Sequence, residues 1–202
     1  MFTAVKPVKK RLSPDARRLQ IVRVASALVA ARGPEGARLS DVAAAAGVTR
    51  AVVYRFFPSR AALLLAVLAD FEEVLARQFR ARAALLRGSR PLEASVRGFG
   101  LATCDALDEA GGGGWLLLYL DGPDPSVAAA ARATRARLDG PWLLRVARLT
   151  RAGEPTATLV CAMAVASSRA ALSLYASGTV SRERALEAMT RGVRALLDEF
   201  RR

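Results

Sequence analysis

The sequence predicts an all-α fold, and three observations carry that prediction. Hydrophobic residues make up 52% of the 202, yet aromatics supply only 6% and Ala much of the remainder, a composition suited to closely packed helices. Side-chain caps and Pro or Gly breaks divide the chain into about nine helical segments. Within those segments apolar residues recur three and four positions apart, the spacing of one buried helix face. No stretch alternates as a strand would, and the chain contains no internal repeat.

The first helix begins at Ser13-Pro14, a side-chain cap followed by Pro at the first helical position. It buries Ile21, Val24, Ala25 and Leu28 and stops at Gly33-Pro34. Ser40 is expected to cap a short helix over Asp41–Ala46, and Thr49 a second over Arg50–Phe56, ending before Pro58. Ser59 opens a long fourth helix to about Arg87, with Leu64, Val67, Leu68, Phe71 and Leu75 inward. After the break at Gly88–Pro91, a fifth helix carries Val96, Phe99, Thr103 and Ala106 on one face. Gly111–Gly114 reads as a flexible connection, since neither a strand nor a GK[ST] sequence makes it a phosphate cradle. Trp115–Leu120 is a brief apolar segment before the turn Asp121-Gly122-Pro123. The seventh helix runs from Asp124-Pro125 to about Thr150, with a kink expected near Gly140-Pro141. The eighth runs from Gly153–Pro155 to about Ser177. Ser181 caps the ninth, striped by Leu186, Met189, Val193, Leu196 and Phe200.

The net charge of +13 is unevenly placed. Residues 1–60 hold 12 Lys and Arg against 3 Asp and Glu, a balance of +9; residues 61–202 hold 19 against 15, a balance of +4. A basic end on a more neutral body is the pattern of a polyanion-binding module. His is absent, and Glu72-Glu73 cannot share a helix face, so the usual parts of hydrolytic and metal-assisted catalysis are missing. No catalytic residue, cofactor or metal is expected, and the chain does not read as an enzyme. Cys104 and Cys161 stand alone in apolar surroundings, which fits two small buried hydrophobes in a reducing compartment, a redox sensor being the alternative. No apolar run follows the basic start Met1–Leu12, so no secretory signal is read there. The uncharged stretch Thr156–Ser168 is shorter than the roughly 20 residues of a membrane span. A soluble, cytoplasmic protein without membrane contact is expected.

The informative stretch is Ser40–Arg60, SDVAAAAGVTRAVVYRFFPSR. Two short helices meet at a tight turn around Gly47, where a positive φ costs little only for Gly. Val42 and Ala43 are expected to pack against Val48, Val52 and Phe56, fixing the angle between the helices of a helix-turn-helix. That leaves Ser40, Thr49, Arg50, Ala51, Val53, Tyr54 and Arg55 as candidate DNA contacts, with Arg60 clamping the backbone from the next helix. Arg50 is the best candidate for direct readout, because a guanidinium bonds guanine O6 and N7 together. Thr49, Tyr54 and the helix N-termini suit phosphates. The basic arm Lys6–Arg11 reads either as a disordered tail or as an arm on phosphates or in the minor groove.

From Val22 to Leu65 the chain resembles the DNA-binding domain of the tetracycline-repressor (TetR) family of bacterial regulators. The matching pattern is Ala31-Arg32-Gly33, then Leu39-Ser40-Asp41-Val42-Ala43, Ala46-Gly47-Val48-Thr49 and Val53-Tyr54-Arg55-Phe56-Phe57-Pro58-Ser59-Arg60, with Leu63 following. Where the family usually carries a small residue such as Gly, a Lys and often a Phe, this chain has Ala51, Arg60 and Val29. The resemblance implies an Ω-shaped, all-helical homodimer in which three N-terminal helices bind DNA and the rest form a ligand pocket and dimer interface. The organisation expected is a basic flexible arm at 1–12, a helix-turn-helix domain at 13–58, and a helical ligand-binding and dimerisation domain at 59–202.

Its partners would be a double-stranded DNA operator, a small, mostly apolar effector and a second copy of the chain. The eighth helix is rich in small residues, Ala162, Ala164, Ala166, Ser167, Ser168, Ala170 and Ala171, which suits close approach across a dimer. Leu172, Tyr175, Leu196, Leu197 and Phe200 are the candidate interface contacts. Candidate pocket residues are Phe71, Phe99, Thr103, Leu107, Trp115, Leu118, Tyr119, Trp142, Met163 and Arg169. The long fourth helix belongs to both parts and is the expected carrier of the switch, the usual mode being repression. Alternatives left open are an activator or architectural DNA-binding protein without a ligand, and a helical protein-interaction adaptor.

Overall fold

In the computed structural model the described residues are 12–86, 91–120, 124–150 and 153–200; the basic arm at 6–11 lies outside them. Among the described residues the chain is all-α, with ten helices and no strand. These are α1 (Pro14–Arg32), α2 (Leu39–Ala45), α3 (Arg50–Phe56), α4 (Arg60–Ala81), α5 (Ala83–Leu86), α6 (Leu92–Ala110), α7 (Gly112–Tyr119), α8 (Pro125–Thr150), α9 (Glu154–Ala176) and α10 (Arg182–Glu199). A single 3-10 turn, Pro34–Gly36, joins α1 to α2.

Four expected caps are present: Ser13, Thr49, Ser59 and Ser181 accept from the backbone N–H of Ala16, Val52, Ala62 and Arg184. Each satisfies one of the donors that a helix start leaves without an intrahelical partner. Ser40 is not a cap. The helix begins two residues earlier, at Leu39 with Arg38 at the cap position, and Ser40 Oγ turns instead to Asp41 Oδ1 at 3.4 Å. The fourth helix also ends before Arg87. Arg82 leaves helical geometry (φ −109°, ψ 15°) and bonds Gln78 while pairing with Asp105 of α6, and one further turn, α5, follows. That polar anchorage bends the chain toward α6 at a place where apolar periodicity gives no warning. Helix α8 continues through Gly140-Pro141.

The glycine run is the largest departure. Only Gly111 has a positive φ (76°); Gly112–Gly114 form the first turn of α7, and Gly113 and Gly114 are buried. A Cβ on Gly113 would lie 2.3 Å from Ser26 O of α1, and one on Gly114 would lie 2.3 Å from Phe71 Cβ of α4. The run is therefore a close-packing surface between three helices rather than a flexible connection.

Two apolar clusters result. One lies under the N-terminal helices and takes in Ile21, Val29, Val42, Val53 and Phe57 with Leu63, Leu64 and Val67 of α4 and Leu117 of α7. The other holds Phe71, Leu75, Trp115, Leu118, Leu172 and Met189. Helices α4 and α7 contribute to both, so neither cluster shifts without them. Ser26 Oγ donates to Ala110 O at 2.8 Å across the junction, and Arg23 of α1 pairs with Asp70 of α4 at 2.9 Å. Burial raises the Asp70 pKa above its ordinary value despite the Arg23 guanidinium.

Helix α9 is more apolar than its uncharged stretch alone suggests, because it stays apolar beyond Arg169. Pro155–Ala176 is the one unbroken helix among the described residues long and apolar enough to cross a membrane by length and composition. Only a third of its most apolar 18 residues is buried within the chain.

Candidate DNA-binding face and effector cavity

The turn between α2 and α3 is built on Gly47, whose φ of 64° lets Val48 N–H reach Ala43 O at 3.0 Å. Gln20 of α1 donates to Ala46 O at 3.3 Å and ties the turn to the first helix. Val42 and Ala43 are buried, with Val48, Val52 and Phe56 packed against the same cluster as expected.

On α3, Thr49, Arg50, Ala51, Tyr54 and Arg55 are exposed, Tyr54 to 54%. Positions 50, 51, 54 and 55 share one helix face. Val53 is different: it is 0% exposed and part of the core, so its side chain meets no base. Its neighbours in the motif do face solvent, and the face shared by Arg50, Ala51, Tyr54 and Arg55 is centred on the side of the helix away from Val53. Ser40 is half-buried on the first turn of α2. Arg55 lies over the Phe56 ring, 5.2 Å from its centroid. Arg60 is half-buried and engaged by the Glu35 carboxylate through both terminal nitrogens, the second contact at 3.0 Å. That hydrogen bond holds Glu35 below its ordinary pKa. Glu35 was not foreseen, because nothing in the sequence brings the 3-10 turn to the start of α4.

Between α6, α7, α8, α9 and α10 lies a narrow cavity of about 50 Å³ with an open mouth. Five of the ten expected residues line it: Phe99, Trp115, Tyr119, Trp142 and Arg169. Phe99 and Trp142 meet edge to face at 5.7 Å, as do Trp115 and Tyr119 at 4.7 Å. Trp115 Nε1 donates to Ser173 Oγ at 3.0 Å, and the Arg169 guanidinium lies over the Tyr119 ring at 5.3 Å. Burial pushes the Tyr119 phenol up to about 12.

The other five fall elsewhere. Phe71, Leu107 and Leu118 are core, Phe71 meeting Trp115 at 6.2 Å behind the cavity wall. Thr103 is fully buried and donates to Phe99 O at 2.9 Å. Met163 points outward at 42% exposure. Asp139, Cys161, Ser168 and Leu172 line the cavity without having been expected. Helical spacing held that signal: Asp139, Trp142 and Val146 share one face of α8, and Cys161, Ala164, Ser168 and Leu172 one face of α9. Both cysteines are buried thiols, and burial raises Cys104 to about 11.

Of the expected interface residues, Leu172 and Leu197 are buried in the core, which takes both out of reach of a second chain. Leu196 and Phe200 are half-buried against that core, and Tyr175 OH donates to Asp108 at 2.5 Å. The solvent face of α9 carries Leu159, Met163 and Leu174 with Ser167 and Ala170 between them; Leu159 and Leu174 are 55% and 46% exposed.

Residues 21–67 match the bacterial regulatory proteins of the tetR family. Solved structures similar to the chain include a TetR-like transcriptional regulator from Rhodococcus sp. RHA1, with 17% identity, coverage of 94% of this chain and 97% of that one, and a TM-score of 0.72. A TetR-family transcriptional regulator from Streptomyces coelicolor shares 21% identity over 96% and 98% of the two chains, with a TM-score of 0.65. A third, from Mesorhizobium loti, shares 18% over 94% and 97%, with a TM-score of 0.60. At these identities the likeness is one of fold. No curated protein matches the chain.

Proposed function

We propose that the chain, whose residues 21–67 match the bacterial regulatory proteins of the tetR family, is a ligand-responsive repressor of that family. In this reading a dimer reads a palindromic operator through its two α3 helices, and a small, mostly apolar effector in the cavity releases it. The observation that carries the reading is the exposed face of α3: Arg50, Ala51, Tyr54 and Arg55 reach solvent from a helix capped by Thr49 and seated on a closed core. This face lies in the most basic third of the chain. Arg50 reads a base edge, while Thr49, Tyr54 and Arg55 hold phosphates.

Dimer formation is supported by α9, whose apolar exposed stripe is larger than its burial within one chain explains. The contacts proposed are Leu159, Met163, Ser167, Ala170 and Leu174, in place of Leu172 and Leu197. A two-fold dimer sets two recognition helices about one DNA turn apart.

The switch follows from helices shared by both clusters. Trp115 and Tyr119 of α7 face the cavity, while Leu116 and Leu117 of the same helix pack under the DNA-binding helices. Phe71 of α4 rests on Trp115, and Leu64 and Val67 of α4 sit in the N-terminal cluster. An effector that prefers one position of Trp115 moves α7 and α4 together, and it weakens operator binding by that preference and no more. Selection of bound duplexes from a random pool by the full-length protein should recover an inverted repeat with half-sites about one turn apart. A pool that stays random after selection would overturn the reading.

A further inference from the structure

Asp139 is the one carboxylate lining the inner cavity, and it forms no hydrogen bond or ion pair among the described residues. Burial raises its pKa, and the single charge opposing that shift is Arg135, one turn back on α8. Arg135 faces the outside vestibule and donates to Leu118 O at 2.6 Å. A half-buried carboxylate without a partner costs free energy that a bound cation would recover.

Its surroundings suit a cation as well. Phe99, Trp115, Tyr119 and Trp142 present four rings set at steep angles to one another, and ring faces attract cations within about 6 Å. One such face is already in use: the Arg169 guanidinium covers Tyr119. Arg169, Tyr119 and Asp139 border both the inner cavity and a vestibule between α8 and α9. They therefore form the neck through which a molecule from solvent would pass.

We propose that the effector is an amphipathic organic cation, an ammonium or amidinium on an apolar or aromatic body, with its charge held between Asp139 and the Tyr119 ring. Its body fills the space between Trp115, Phe99 and Trp142. The incoming cation displaces the Arg169 guanidinium from the ring toward the vestibule, so Arg169 acts as the placeholder of the empty site. The proposal rests on reading the cavity as the effector site.

Both tryptophans of the chain line the cavity, so their fluorescence reports occupancy directly. The full-length protein is titrated with 4-phenylbutylammonium, 4-phenylbutanol and 4-phenylbutyrate, which share one body and differ in charge. The ammonium should bind at least about tenfold more tightly than the alcohol, the gain expected of one desolvated charge contact. Asp139→Asn should bring the two within about twofold while leaving the alcohol unchanged, and Arg169→Ala should tighten the ammonium. Tighter binding of the butyrate, lost in Arg169→Ala, would overturn the proposal in favour of an anion site. Equal binding of all three probes, or an ammonium preference that survives Asp139→Asn, would overturn it too. DNA affinity measured on the same samples separates this from the regulatory reading. Ammonium binding that leaves DNA affinity unchanged supports the cation site and removes the switch. Failure of all three probes alongside specific DNA binding overturns the cation site alone.

Discussion

Substituting Gly113 by Ala tests whether the glycine run is a packing surface. The new Cβ would lie 2.3 Å from Ser26 O, 2.7 Å from its Cα and 2.8 Å from its carbonyl carbon. All three are backbone atoms of α1, so no side chain can swing aside, and α7 must retreat by about 1 Å to restore ordinary contact. Overpacking of this kind costs about 1–3 kcal/mol. The retreat also strains the buried bond from Ser26 Oγ to Ala110 O, worth about 1 kcal/mol. Removing a helical glycine returns about 0.5–1 kcal/mol. The net loss expected is about 2 kcal/mol, or roughly a 1 M fall in the urea midpoint at unchanged slope. Gly112→Ala is the control, because its Cβ would meet Ala30 Cβ at 3.5 Å, an ordinary contact; it should be neutral or slightly stabilising. Urea unfolding followed by circular dichroism reads both. Equal behaviour of the two variants, or a Gly113→Ala protein as stable as the parent, would refute the close-packing account.

Val53→Ala should cost about 2 kcal/mol of stability through lost burial and the cavity left behind, while Arg50→Ala leaves the urea midpoint unchanged and weakens specific DNA binding alone. Glu35→Gln should release Arg60 from its ion pair, raising affinity for any duplex and steepening the salt dependence by roughly 0.9 for each phosphate that Arg60 newly neutralises; an unchanged slope would show that Arg60 meets no phosphate. The Asp139 carboxyl is raised by burial, so its protonated form favours the fold: that stabilisation is complete below the unfolded carboxylate range and lost as pH rises through the raised folded value. Asp139→Asn should therefore raise the melting temperature at pH 7, and the difference should close as pH falls through the carboxylate range.

Local chemistry was legible in the sequence, and relations between helices were much less so. Four of five expected caps stand where a Ser or Thr precedes a helix, because that bond spans only three residues. Ser40 misled because the helix starts at Leu39 behind Arg38, a cap position with no side-chain bond, and takes Ser40 into its first turn. The end of α4 depends on Arg82 meeting Asp105, 23 positions away, which no local periodicity encodes. Inside and outside were confused where a helix is apolar on two faces: α9 buries Leu172 and exposes Leu159 and Met163, and composition treats all three alike. On α3 the error ran the other way, since Val53 sits within a run of exposed residues and only the register of the helix separates it from Tyr54. The four glycines carried a true signal of unusual backbone demand, but one glycine turns the chain and two admit neighbouring helices, and spacing alone does not divide those roles.

The central claim is that α3 reads a specific DNA sequence. Fluorescence anisotropy at near-physiological salt, comparing duplex from upstream of the protein's own gene with a shuffled duplex of equal length, tests it most directly. The parent protein should prefer the upstream duplex by roughly a thousandfold or more, and Arg50→Ala should cut that preference by about 5- to 150-fold, the value of one bidentate base contact. Equal, salt-sensitive binding to both duplexes, or no binding to either, would contradict the account.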